Sequence, residues 1–142
     1  MNVVAAPYLF RGPRPRSLRD LRWMGFETLI VLETGLYEFF HDDAYESEFP
    51  SDYGMRHYNI PCSNFFPPNE YQVNKFLEIV SKHEKTYFHC KRGKDRTGFM
   101  AAVYRMRKQG WTFEQAYQEW VAMGRNPLLD WWKHSLKKWE PK

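Results

Sequence analysis

KTYFHCKRGKDRTGF, Lys85 to Phe99, joins a short apolar run to a cationic loop punctuated by two glycines. The run ending at Cys90 reads as a strand. The residues from Thr97 to Gln109 read as a helix, closed by Gly110. The segment from His89 to Arg96 is then a loop between strand and helix. Backbone N–H groups of such a loop can point inward and cradle an anion. The helix N-terminus adds roughly half an elementary positive charge. A thiol placed there is favoured as thiolate, the reactive form. Lys91, Arg92, Lys94 and Arg96 add positive field, and Gly93 lets the backbone turn without a Cβ clash. Gly98 permits close helix–sheet packing. The planar fork of Arg96 suits two oxygens of one phosphate. These parts describe a phosphate pocket with a nucleophile at its floor. Cys90 would attack phosphorus in line, while Arg96 and the cradle stabilise the equatorial oxygens. No metal or other cofactor is required. The plainer alternatives are a buried structural thiol at Cys90 and a solvated charged face for Lys91, Arg92 and Lys94.

The flanking sequence supplies a fold for this loop. PYLFRGPRP reads as a short strand and a turn, and SLRDLRWMG as a short helix with Ser17 as N-cap. FETLIVLE reads as a buried strand and MRHYNIPC as a third, alternating one. A helix is expected over Tyr37–Phe49, stopped by Pro50. NEYQVNKFLEIVSKH is amphipathic, with Val73, Phe76, Leu77 and Val80 on one stripe. TFEQAYQEWVAMG is a helix with Thr112 as N-cap and Gly124 just past its end. NPLLDWWKHSLKKW is read as a last helix. Early alternation of strands and helices, then helices alone, gives the α/β class. The expectation is a small, mostly parallel sheet of four to five strands flanked by helices. Ligands bind beyond the carboxyl ends of such strands, where Cys90 sits.

Bulk properties agree. The chain has 142 residues, of which 43% are hydrophobic and 18% aromatic, enough for one packed domain over 1–142. Its net charge of +4 suits an anionic partner. Nucleic acid is not expected, because no zinc-finger spacing or RNA-recognition signature occurs. Cys62 and Cys90 are the two cysteines, too few for a disulfide scaffold and not in a CxxC pair. Cys62 reads as a small core residue; a protective disulfide with Cys90 is the less favoured reading. No apolar run approaches the roughly 20 residues that span a bilayer. The start lacks a charged n-region and a long apolar h-region, so a cytoplasmic location is the expectation; a monomer is expected as well. Trp131, Trp132 and Trp139, interleaved with Lys133, Lys137 and Lys138, read as a helix capping the core, with a membrane or acidic partner as the alternative.

HCKRGKDRTG resembles the HCx5R(S/T) signature of the protein tyrosine phosphatase superfamily. Its CKxGKxRTG core resembles members acting on phosphoinositides or inositol polyphosphates, among them the tyrosine-phosphatase-like phytases. The order YLFRGPRP, helix, FETLIVLE, GMRHYNIP is similar to that of small dual-specificity and phytase-type relatives, from Tyr8 to about Gly124. The resemblance implies a minimal cysteine-phosphatase fold. It implies Cys90 as nucleophile, Arg96 as the phosphate-binding arginine and Thr97 as the hydroxyl assisting the thiolate. It implies that His89 helps set the cysteine's reactivity, and that Lys91 and Lys94 meet highly charged inositol substrates. Arg92 and Gly93 complete the substrate-binding loop. Arg14, or Arg11 beside it, would reach a second phosphate.

One departure matters. Relatives carry a general-acid aspartate shortly after the third strand; NIPCSNFFPPNEY has none, and Asn64 stands near that place. General-acid help is worth about 10²–10⁴-fold. Asp95 is the preferred donor, with Glu70 or a neighbouring substrate phosphate as the others; the plainer reading of Asp95 is that it neutralises Lys94 or fixes the loop. The expected activity is hydrolysis of a phosphorylated small molecule, an inositol polyphosphate or a phosphoinositide head group. The alternatives are a dual-specificity protein phosphatase and a phosphate-binding module with little turnover.

Overall fold

The computed structural model describes residues 1–34 and 50–141, so the helix expected over Tyr37–Phe49 lies outside the described residues. Five strands form one sheet: β1 (Asn2–Ala5), β2 (Leu9–Gly12), β3 (Thr28–Val31), β4 (Arg56–Asn59) and β5 (Thr86–His89). Their order is β1-β2-β5-β3-β4; β1 is antiparallel to β2, and all other pairs are parallel. The helices are α1 (Leu18–Trp23), α2 (Glu70–Val80), α3 (Arg96–Gln109), α4 (Phe113–Ala122) and the short α5 (Lys133–Lys137). None of the described helices is long and apolar enough to cross a membrane.

The period of two along each strand splits the core between the two faces of the sheet. Ile30, Leu32, Phe88 and Cys90 join the larger cluster, built around α2, α3, α4 and Trp132. Leu29, Val31 and Tyr87 join the smaller one with Leu18, Leu21 and Phe26. Helix α3 is buried from Arg96 to Tyr104, which is why its apolar residues show no single stripe. Local signals set most boundaries. Ser17 Oγ accepts the Asp20 N–H at α1, and reciprocal capping boxes join Asn69 to Gln72 and Thr112 to Gln115. Gly110 closes α3 in the left-handed region, φ 72°.

Two elements differ from expectation. Strand β1 was not read in the sequence, because a four-residue antiparallel edge that buries fully only Val4 leaves almost no alternation. The last helix is instead a 3-10 stretch, Pro127–Trp132, running into α5. Asn126 caps Leu128 N through its side chain and Pro127 opens the turn. Tight winding carries Leu129, Trp132 and Leu136 into the core while Trp131 stays half-exposed.

Strand β5, the last strand in the chain, lies between β2 and β3, so the β2–β3 connection crosses over it and the β4–β5 connection crosses over β3. Gly12 and Val31 both register with His89, so the carboxyl ends of the three strands are level. The segments after Gly12, Val31 and His89 therefore converge at one end of the sheet.

Candidate active site

Cys90 follows the last residue of β5, and Arg96 is the first residue of α3. Between them residues 91–95 bend tightly around Gly93, whose φ is +73°. A Cβ at Gly93 would overlap the backbone of Gly12 and Pro13, so only glycine lets the loop lie on the end of β2. That end is itself pinned: Tyr87 Oη donates to Pro13 O at 2.6 Å, and Arg14 N donates to Lys91 O at 3.3 Å. Arg11 lies buried beside the loop and donates Nη2 to Gly93 O at 3.0 Å. Burial lowers the Arg11 pKa, while Glu119 and Cys90 nearby act to raise it.

Cys90 is 3% exposed. The Arg96 guanidinium is oriented by Nη1 donation to Cys62 O at 3.1 Å and to Leu32 O at 3.4 Å. These carbonyls follow β4 and β3, so three converging segments fix one arginine. Thr97 is wholly buried in the first turn of α3, and its Oγ1 has no hydrogen-bond partner among the described residues. Lys91, Arg92 and Lys94 are exposed around the loop. Cys62 is buried with a free thiol, and desolvation pushes that thiol up to about 12, keeping it protonated.

Beneath the loop runs a buried polar chain. Arg14 donates Nε to Glu33 Oε2 at 3.0 Å, and its Nη2 pairs with Oε1 of the same carboxylate. His89 Nδ1 lies 3.4 Å from Glu33 Oε2 and 3.2 Å from Cys90 O. Burial, reinforced by Arg14 and Arg96, pushes His89 down to about 3. The His89–Glu33 contact is thus that of a neutral imidazole donating Nδ1–H, not an ion pair. Arg14, expected at a second phosphate, is placed in this buried chain. Glu33 was missed by sequence reasoning; its signal is a carboxylate ending the apolar run LIVLE.

The acid candidates separate. Asp95 is half-buried in the loop, its Oδ1 accepting Asn126 N–H at 2.6 Å and its carbonyl accepting Trp120 Nε1–H at 3.1 Å. Glu70 is exposed in the first turn of α2, in a cleft with Arg107, Ser135 and Lys138. Arg107 is three turns along α3 from Arg96, a rise of about 16 Å, so Glu70 sits toward the far end of that helix. Asn64 is exposed. Among the described residues no group of three His, Cys, Asp or Glu side chains is placed to hold a metal.

A family model described as "DSP-PTPase phosphatase fused to NAD+ Kinase" matches residues 8–128. The chain belongs to this family. It is a cysteine phosphatase of the protein tyrosine phosphatase superfamily. No curated protein matches it by sequence. Among solved structures, the phosphatase resembles the core catalytic domain of the PP-IP phosphatase SIW14 from S. cerevisiae in complex with citrate. That match has 21% identity and a TM-score of 0.73, covering 93% of this chain and 80% of that one. It also resembles P. aeruginosa TpbA, at 19% identity and TM-score 0.68, covering 94% and 80%; TpbA has also been solved in complex with pTyr. A putative phosphatase from Shewanella putrefaciens CN-32 shares 18% identity at TM-score 0.66, covering 99% and 93%. At these identities the likeness is one of fold.

Proposed function

We propose that this phosphatase hydrolyses phosphate monoesters of inositols through a phosphocysteine at Cys90. The observation that carries the reading is the loop itself: a buried cysteine and an oriented arginine, ringed by the exposed cations Lys91, Arg92 and Lys94. One phosphate fills the loop; its neighbours on a ring meet the lysines and Arg92. The structural likeness to a PP-IP phosphatase supports a multiply phosphorylated substrate.

In the first step the Cys90 sulfur attacks phosphorus and the ester P–O bond breaks. Inward backbone N–H groups and Arg96 hold the three equatorial oxygens. Asp95, through the oxygen not engaged by Asn126, delivers a proton to the departing alkoxide. In the second step water attacks phosphorus, Asp95 takes its proton, and the S–P bond breaks to regenerate the sulfur anion. Thr97 Oγ1–H, without a partner among the described residues, is available to stabilise that sulfur as it departs. The Nδ1–H of neutral His89, shared between Glu33 and the Cys90 carbonyl, holds the nucleophile's backbone in place. A dual-specificity activity is the second reading, favoured by the likeness to TpbA, which binds pTyr.

Phosphate release is measured in parallel from inositol hexakisphosphate, a phosphoinositide and a phosphotyrosine peptide. The inositol esters are expected to be preferred, and Cys90→Ser to abolish release from all three. Asp95→Asn is expected to slow inositol esters by about 10²-fold or more, yet spare an activated aryl ester that needs no proton. Preference for the peptide overturns the substrate class. Release that survives Cys90→Ser overturns the intermediate, and equal slowing of both ester types removes Asp95 as the acid.

A further inference from the structure

Four apolar side chains stand out beside the phosphate loop: Phe65 is 74% exposed, Phe66 67%, Leu128 82% and Trp131 47%. They come from the loop after β4 and from the 3-10 stretch, which meet with Phe66 and Trp131 packed edge to face at 6.1 Å. Each segment is tied to the active site. Cys62, three residues before Phe65, binds Arg96 through its carbonyl, and Asn126, two residues before Leu128, binds Asp95 through its N–H. The tips are held in place as well. Ser63 Oγ accepts the N–H groups of Phe65 and Phe66 at 2.9 and 3.2 Å, and Trp132 Nε1 donates to Phe65 O at 3.1 Å. The fold has thus built a stiff support for side chains from which its own core gains nothing.

Their surroundings say what they meet. The same end of the molecule carries the exposed cations Lys91, Arg92 and Lys94. Among the described residues, the carboxylates beside this face are already engaged: Asp130 by Arg125, Lys133 and Tyr117, and Asp95 by Asn126. Apolar rings flanked by cations that have no carboxylate partner among the described residues fit a surface that is apolar inside and anionic outside. Aromatic side chains lie at the headgroup level of such a surface while lysines and arginines rest on its phosphates. We propose that Phe65, Phe66, Leu128 and Trp131 dock this phosphatase on an anionic lipid surface, with the mouth of the Cys90 loop facing the head groups. This goes beyond the inositol reading and does not depend on it: any anionic bilayer satisfies the patch, whichever ester the loop cleaves.

The test is co-sedimentation with vesicles of phosphatidylcholine alone, or phosphatidylcholine with phosphatidylserine, at low ionic strength. The unmodified chain is expected to bind the mixed vesicles and not the neutral ones. The double variant Phe66→Ser, Leu128→Ser is expected to bind at least about tenfold more weakly. Trp23→Ser is the control: Trp23 is 90% exposed but lies by Met24, which Lys85 binds at the opposite end of the sheet. It is expected to bind as the unmodified chain does. Turnover of a soluble activated ester, unchanged in all three proteins, reports folding and chemistry separately from docking. Absence of binding to the mixed vesicles, full binding by the double variant, or equal weakening by Trp23→Ser overturns the proposal. So does patch-dependent binding of an acidic phosphopeptide, or patch-dependent dimerisation, without vesicle binding; these would assign the patch to a protein partner or to a second copy.

Discussion

His89 shows how one side chain can serve the site and burden the fold. Wholly buried between Glu33 and the Cys90 carbonyl, it stays neutral, with its pKa lowered from 6.5 to about 3. The unfolded chain takes up a proton here below about pH 6.5, and the folded chain does not. Stability from this residue is therefore complete above pH 6.5 and falls as the pH drops toward 3, by about 1.4 kcal/mol per unit. Between pH 7 and pH 5 the expected loss is about 2 kcal/mol. Urea unfolding at the two pH values measures it, and His89→Asn, which keeps a donor without a titrating ring, is expected to remove that share. An unchanged pH slope in the variant would mean that His89 takes up its proton in the folded chain and forms an ion pair with Glu33. The strand–loop–helix course of residues 86–109 was legible because its apolar run, glycines and helix end are local signals. The support beneath it was not: Glu33 and Arg14 lie 19 residues apart, and only the pairing of β2 and β3 with β5 brings them together.

At the scale of elements, the loop is held by helix α4 as much as by the strands around it. Gly98 lets α3 and α4 approach so closely that a Cβ there would overlap the Trp120 indole. The same indole donates to the Asp95 carbonyl at 3.1 Å, tying α4 to the turn that presents Arg96. Trp120→Phe keeps most of the ring and deletes that donor. The expected cost is about 1 kcal/mol in denaturant unfolding, with a several-fold fall in kcat as the loop loosens. A variant destabilised to that extent with unchanged kcat would show that the tie serves packing alone. Helix α2 was readable from its apolar stripe and α4 from its Thr112 cap and closing Gly124, signals confined to each segment, and the structure adds a capping box to both. The 3-10 stretch before α5 was not, since its two leucines and two tryptophans suit a helical stripe equally well. What decides it is packing of Trp132 against Phe99 and Trp120, a contact made between elements.

Across the whole molecule, charge is sorted rather than merely in excess. Glu119 is bound by Arg105, Asp130 by Arg125 and Lys133, and Glu33 by Arg14, so these acids are neutralised within the fold. Lys91, Arg92 and Lys94 have no carboxylate partner among the described residues and stand at the mouth of the site. The net charge of +4 is modest, but these three cations stand where substrate enters. Field of this kind acts on the approach and binding of an anion, and salt screens it: the Debye length shrinks from about 30 Å at 0.01 M to about 8 Å at 0.15 M. Raising ionic strength over that range is expected to lower kcat/KM for inositol hexakisphosphate by about tenfold or more. A singly phosphorylated aryl ester, with less charge for the field to grip, is expected to lose only about two- to threefold. The kcat of both should hold, because the bound phosphate is already enclosed by Arg96 and the loop amides. Equal salt slopes for the two substrates would place discrimination in contacts within the pocket. A steeper slope that persists after Lys91→Ala, Lys94→Ala would locate the field elsewhere on the surface.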